Sequence, residues 1–378
     1  MPDFNEKALK KHKELRGKIA VKLKDSLDSR EKLSIYYTPG VAAVSDYAAK
    51  HPEEAREYTW LNNNVAVISD GSAVLGLGNI GPYGALPVME GKCMLFKHFA
   101  DIDAVPIVLD VHSADEIVAA AKAIAPSFGG INLEDIAAPI CFEVEERLKK
   151  ELPIPVMHDD QHGTAVVTLA GLINAVKLVG KDLKGCKIVI VGAGAAGVAI
   201  AKLLHEYAKP EIIAVDSKGV ISKNRQDLND SKRRLLDITN PNHAHGKLED
   251  VIQGADIFIG VSQPGLLTAQ MVRSMKKDPI IFAMANPTPE IMPDEAKAAG
   301  AAIIATGRSD FPNQVNNALA FPGIFRGALD NGVRDITDEH KIKTAEVIAA
   351  LVKSPSVDEI IPHVGDERLV PAIAKVIK

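Results

Sequence analysis

The sequence predicts an α/β protein of two domains in which largely parallel sheet is wrapped by helices. Three observations lead there. Short β-rich runs alternate with longer helical periods along most of the chain. A glycine-rich turn sits between an apolar run and a helix. The 378 residues exceed the roughly 100–200 of a typical domain. Apolar residues make up 47% of the chain and charged residues 25%, enough for a sizeable core without covalent staples.

In chain order, Val65 to Ser69, Val105 to Val111 and Ile154 to Met157 are expected as buried strands. Ser113 followed by Glu116 makes a capping box for a helix through Ile124, and Pro139 opens another with Ile140, Val144 and Leu148 on one face. These segments form an N-terminal α/β domain, residues 1–160. Asp159 and Asp160 precede a helix expected from about Thr164 to Val179 and stopped by Gly180, and the domain boundary is placed there. From Lys187 the runs KIVIV, EIIAVD, DIFIGV, PIIFAMAN and AAIIATG alternate with helical stretches, so residues 161–378 read as a doubly wound domain. After Phe325 the pattern turns helical, and KIKTAEVIAALVK and ERLVPAIAKVIK are expected as amphipathic helices packed on the body.

Net charge is -5 and the Lys and Arg residues are scattered, which argues against a nucleic-acid partner. Cys93, Cys141 and Cys186 stand too far apart for a disulfide framework or a cysteine metal site, so a reducing, cytoplasmic setting is expected. The N-terminus is charged and lacks an apolar signal core. The apolar stretch from Thr164 to Val176 is too short to span a bilayer and contains Asn174, so no membrane role is expected.

Gly192, Gly194 and Gly197, with Ala195 and Ala196 between the last two, follow the apolar run Lys187 to Val191 and open a helix from Ala196 to Tyr207. The first glycine permits a tight turn, the second lets backbone approach a pyrophosphate, and the third allows close packing of helix on strand. Asp216 ends the next strand, where a carboxylate meets a ribose 2'-hydroxyl. The combination predicts a Rossmann-type NAD(P)-binding domain in which Asp216 favours NAD over NADP, with Lys218 close by as a counterweight.

Glu134 with Asp135, and Asp159 with Asp160, are paired carboxylates that a hard divalent cation would accept as oxygen ligands; the alternative is that each pair satisfies the start of a helix. His158 and His162 have the i, i+4 spacing of a zinc peptidase helix. Asp159 fills the slot such a site reserves for Glu, and the helix is expected to start only near Gly163, which argues against zinc hydrolysis.

A series of motifs in order, YYTPGVA, SDGSAVLGLGNIGPYGALPVMEGKCMLFKHFADIDA, INLEDIAAP, VMHDDQHGTAVV, GAGAAG, FAMANPTPE and NQVNNALAFPG, resembles the malic enzymes, particularly their short bacterial and archaeal type. The resemblance implies oxidation and decarboxylation of malate to pyruvate with reduction of NAD or NADP. It implies Tyr37 as general acid and Lys92 as general base. Glu134, Asp135 and Asp160 become ligands of Mg2+ or Mn2+, with Asp159 beside the catalytic lysine. Asn286 and Asn317 would hold the substrate, Asn286 lying next to the cofactor as well. Lys92 could act as a base only if its pKa fell, and the metal charge and burial are expected to lower it.

The resemblance also implies a homodimer, with the N-terminal helix a candidate for exchange, and a chain without the phosphotransacetylase-like extension of some relatives. Three positions depart from the family pattern. Ala73 stands where larger family members have a substrate-binding Arg, and Asn79 and Asp101 stand where Asp and Gly are expected. Two other functions fit the same motifs: a malolactic enzyme, which returns the hydride to give lactate, and a dinucleotide-binding regulatory protein without chemistry.

Overall fold

The computed structural model describes residues 4–378. They open with α1 (Phe4–Leu15), α2 (Arg30–Tyr36), α3 (Val41–Lys50) and α4 (Ala55–Tyr58), none of which buries a residue within the chain. Burial begins at β1 (Asn64–Ser69), whose every residue is buried. It lies inside a parallel sheet of order β2-β1-β3-β4, with β2 (Asp103–Val108), β3 (Ile131–Leu133) and β4 (Val156–His158). Parallel neighbours require crossovers, supplied by α5 (Gly81–Ala100), α6 (Ala114–Ile124) and α7 (Ile140–Glu151).

Ser113 and Glu116 form the expected capping box on α6. The sequence reading missed β3: three residues after Gly129 and Gly130 are too few to show a period. It also missed α5, whose FKHFA end turns at Asp101 with φ of 50°. That left-handed turn suits the Gly expected at this position; Asp is among the few other residues that adopt it readily.

The largest correction concerns α8 (Asp159–Leu178), which begins at Asp159 rather than near Thr164. Asp159 and Asp160 occupy its first turn, where carboxylates complement the helix dipole, so what read as a cap is already helix. Most of its 20 residues are buried. The helix is a central pillar, which is why its sequence is apolar all round. Gly180, with φ of 65°, ends it as expected.

The second sheet has the order β10-β9-β8-β5-β6-β7. Its strands are β5 (Lys187–Val191), β6 (Glu211–Asp216), β7 (Gly219–Val220), β8 (Ile257–Gly260), β9 (Ile280–Ala283) and β10 (Ile303–Thr306). The five long strands are parallel; only β7, a short return after β6, is antiparallel. The connections carry α9 (Ala195–Ala208), α10 (Asp230–Leu235), α11 (Leu248–Ile252), α12 (Ala269–Ser274) and α13 (Pro293–Ala298). Strand order reverses between β5 and β8, and the crevice beyond their carboxyl ends is where doubly wound sheets bind ligands.

The closing helices α14 (Phe321–Asn331), α15 (Asp338–Leu351) and α16 (Leu369–Ala374) return to the body. One continuous core holds Val65 and Phe96 from the first sheet region, Ile173 of α8, Ile190 of the second sheet, and Phe321, Ile348 and Ile373 from the closing helices. Phe96 meets Phe321 and Phe325 edge-on at centroid distances of 4.7 and 5.4 Å. Among the described residues no helix is long and apolar enough to cross a membrane.

Because Phe96 is fully buried at this seam, Phe96→Ala is expected to lower stability by roughly 3–5 kcal/mol. Urea unfolding followed by circular dichroism measures it; a loss below about 1 kcal/mol would mean that the seam collapses around the cavity.

Candidate active site

Four separate segments bring their polar ends to one place. The backbone of Glu134 extends β3 by donating to the Ile68 carbonyl (2.9 Å). Asp135 then turns in the left-handed region with φ of 54°, and its amide donates to Asp160 Oδ2 (2.8 Å) in the first turn of α8. The loop after β1 braces this turn: the Ala73 amide donates to the Asp135 carbonyl (3.0 Å) and the Ala137 amide to Ser72 Oγ (2.8 Å). Ala73 thus serves through its backbone.

Carboxylate oxygens of Glu134, Asp135 and Asp160 lie within 4.8 Å of one another. Among the described residues, buried Asp135 Oδ2 has no hydrogen-bond partner, while Asn132 Nδ2 orients Glu134 by donating to Oε2 (2.9 Å). A compact set of hard oxygen donors with an orphaned buried oxygen fits a divalent cation such as Mg2+ or Mn2+. Burial and repulsion by Asp160 push Asp135 up to about 7, and burial likewise raises Glu134 and Asp159.

Lys92, buried on α5, donates to Asp159 Oδ2 (2.6 Å) and pairs with Glu134 Oε1 at 2.8 Å. Its ammonium also stands 4.3 Å from the centroid of the Phe321 ring. Burial alone would lower its pKa, but Asp159, Glu134 and Asp160 more than offset that and hold it above the ordinary lysine value. This reverses the expected lowering: facing the carboxylates alone, the ammonium is stabilised. A cation shared by Glu134, Asp135 and Asp160 would neutralise that field and leave burial to act.

Asn317 lies against the start of α8. A Cβ on Gly163 would lie 1.9 Å from Asp159 Oδ1 and 3.0 Å from Asn317 Cβ, so glycine is what lets the two side chains approach. Asn286 stands exposed at the end of β9, and its carbonyl would lie 2.2 Å from a Cβ on Gly76, in the loop that follows β1. Tyr37 is 66% exposed, and among the described residues no hydrogen bond joins it to Lys92 or to the carboxylates.

The zinc reading fails on the ground expected, since Asp159 fills the Glu slot and His158 ends β4 rather than lying on the helix. Helix does underlie His162, but its ring bonds Glu145 Oε2 (2.9 Å), and the fully buried His158 ring lies 3.5 Å from Asp160 Oδ2. The sequence reading overlooked Glu145, along with Asn132, Ser72 and Gly163. Glu145 carried a usable signal: it is a charged residue on the buried face of α7, beside Cys141, Val144 and Leu148.

The second sheet supplies the crevice. Gly192 has φ of 108°, and a Cβ there would lie 2.6 Å from the Val261 carbonyl oxygen. A Cβ on Gly197 would lie 1.8 Å from the Gly192 carbonyl oxygen, whereas at Gly194 it would meet nothing within 4 Å. Gly194 therefore borders open space ahead of Ala195 and Ala196, whose amides open α9 one residue earlier than expected. That is the cradle a pyrophosphate needs. Buried Glu290 ties together the segments after β8 and β9, accepting from the Ser262 (3.0 Å) and Ala285 (3.1 Å) amides.

Asp216 stands at the end of β6, already engaged. Its Oδ1 accepts from the Lys218 amide (2.9 Å) and Arg225 Nη1 (2.7 Å), and its Oδ2 from Arg225 Nη2 (3.1 Å) and Lys232 Nζ (2.6 Å).

Comparison with known proteins agrees with this geometry. The family profile of the malic enzyme N-terminal domain matches residues 16–149, and that of the malic enzyme NAD-binding domain matches residues 161–376. A Bifunctional malic/malolactic enzyme of Bacillus subtilis (strain 168) is 56% identical, over 99% of this chain and 92% of its own. An NADP-dependent malic enzyme of Halomonas elongata is 47% identical, over 91% of this chain and 81% of its own. The crystal structure of an NAD-dependent malic enzyme from Thermotoga maritima superposes with a TM-score of 0.95 at 50% identity, covering 98% of each chain. With both domain profiles matched in order and relatives near half identical over almost its whole length, the chain belongs to the malic enzyme family.

Proposed function

We propose that this NAD(P)-dependent, decarboxylating malate oxidoreductase works with Lys92 as general base, Glu134, Asp135 and Asp160 as ligands of Mg2+ or Mn2+, and Tyr37 as general acid. The supporting observation is that Lys92, three ligand carboxylates and Asp159 converge from three segments into one largely buried cluster. When bound, the ion would supply Lewis-acid polarisation of the substrate C2 oxygen and the dinucleotide a hydride acceptor. Lys92 Nζ takes the C2 hydroxyl proton, and Asp159, bonded to it at 2.6 Å, holds the ammonium so formed. Asn317 and Asn286 orient the substrate from the side of the second sheet. Tyr37 gives a proton to C3 after CO2 leaves, yielding pyruvate. Residue 160 is taken as the boundary between the substrate and metal part and the dinucleotide part.

A homodimer suits the exposed apolar side chains of the N-terminal region, among them Phe4, Leu9, Leu33, Ile35 and Tyr83. Tyr37 stands in the same region, so pairing of copies would take it out of water. A cytoplasmic setting suits three buried cysteines, all free.

On the cofactor, Asp216 favours NAD, because its carboxylate would repel a 2'-phosphate. Arg225 and Lys232 already fill its acceptor positions and offer cations to that phosphate, so NADP is accepted as well. A second reading, malolactic turnover, is favoured by the similarity to the bifunctional Bacillus subtilis protein. Following pyruvate, lactate and reduced cofactor together during malate turnover decides it: pyruvate with stoichiometric NADH or NADPH supports the first reading, lactate without net reduction the second.

The half-reactions separate the roles of the sites. Asp160→Ala is expected to depress both malate oxidation and Mn2+-dependent decarboxylation of supplied oxaloacetate by at least ~100-fold. Gly194→Val fills the open side of the cradle and should abolish only the oxidation. Full decarboxylation by folded Asp160→Ala would refute the ligand set.

Cofactor choice gives a second measurement. Arg225→Ala is expected to lower kcat/KM for NADP by roughly 10- to 100-fold while NAD changes little, and Asp216→Ser to shift the ratio toward NADP. Ratios equal to the parent's in both variants would remove these residues from ribose recognition.

A further inference from the structure

We propose that Glu145, which lies outside the ligand set, is a positioning residue that fixes Asp159 and Asp160 for the metal and for Lys92. The inference deepens the reading of the site given above and rests on it. Glu145 is 6% exposed, and both of its oxygens are spent on the segment that carries the two aspartates. Oε1 accepts from the backbone amide of His158 (3.0 Å). Oε2 accepts from Gln161 Nε2 (3.2 Å) and takes His162 Nε2 at 2.9 Å. The three partners bracket Asp159 and Asp160 on either side.

The junction needs such a clamp. Three residues of strand turn directly into helix there, with no side-chain cap on α8. Its first-turn amides have no partner within the helix. A carboxylate from a neighbouring helix takes the place of the missing cap and complements the dipole. α7 can hold the carboxylate still, because Cys141, Val144 and Leu148 anchor it in the core that also contains Val156 of β4. The clamp also sets the His158 ring, which is fully buried, lacks a hydrogen-bond partner at either nitrogen and stands 3.5 Å from Asp160 Oδ2. Groups that orient a ligand without touching the ion govern its affinity by about 10- to 100-fold.

Glu145→Gln keeps the volume and removes the charge. In the full-length protein, Mn2+ titration followed by the electron paramagnetic resonance of the free ion should show affinity lower by about 10- to 100-fold, with NADH binding by fluorescence kept within about twofold. His162→Ala cuts one arm and leaves the His158 bond, so its loss should be smaller. Parental Mn2+ affinity in folded Glu145→Gln overturns the proposal, and so does a parallel loss of NADH and Mn2+ binding, which marks general loosening. Should Glu145→Gln fail to fold, parental Mn2+ affinity in both His162→Ala and Gln161→Ala overturns it equally. Asp160→Ala in the same titration separates two failures. Parental affinity there overturns the ligand set and the role of Glu145 with it, whereas lost affinity there beside parental affinity in Glu145→Gln overturns Glu145 alone.

Discussion

The buried ion cluster around Lys92 is the constraint on which the rest of the structure depends. Each ion taken out of water costs several kcal/mol even after relaxation, so an ammonium held against Asp159 and Glu134 persists only where its surroundings permit no escape. Those surroundings are named residues. α5 is held by Met89, Cys93 and Phe96 in the core, with Phe321 closing over the ammonium. The carboxylates are held by backbone: Asp135 in a left-handed turn, Asp160 against the Asp135 amide, Asp159 in a helix whose start is clamped from α7. A misplacement of an ångström in any of them would break the cluster and with it the geometry a proton transfer needs.

α8 makes this possible because one helix is both pillar and site. Its first turn carries the carboxylates, and its remainder packs against α9, α15 and both sheet regions through Val166, Leu169 and Ile173. The site is therefore built on a helix buried along most of its length. The same coupling explains why α14 returns to α5 after the second sheet is complete: the lysine-bearing helix would otherwise show Phe96 to water.

The sequence was most legible where local rules act alone. The capping box at Ser113, the Gly180 stop, five strands of the second sheet and the GAGAAG turn all follow from spacing and glycine chemistry. The site motifs were legible only as a series, since chain position cannot show that Lys92, Glu134 and Asp160 converge. Elements governed by tertiary contacts were hidden. β3 is too short to display alternation, and α8 starts where four polar residues in a row suggest a cap, because burial rather than propensity decides its first turn. The raised pKa of Lys92 was hidden for the same reason, as it depends on which charges face it.

On the mechanism proposed, hydride transfer adds a requirement that neither sheet can meet alone: the substrate carbon, placed by groups of the first sheet and α8, must lie against a nicotinamide held by the second. The two regions touch near the site at two glycines. At Gly76 the loop after β1 admits the Asn286 carbonyl, and at Gly163 the start of α8 admits Asn317; in each case a single added carbon would collide, at 2.2 Å with the carbonyl and at 1.9 Å with Asp159. Neither glycine has a positive φ, so the close approach rather than the backbone conformation is what requires it. They set how closely the residues after β9 and before α14 approach the ion cluster. On that mechanism, the approach of the two regions to each other depends on two missing side chains.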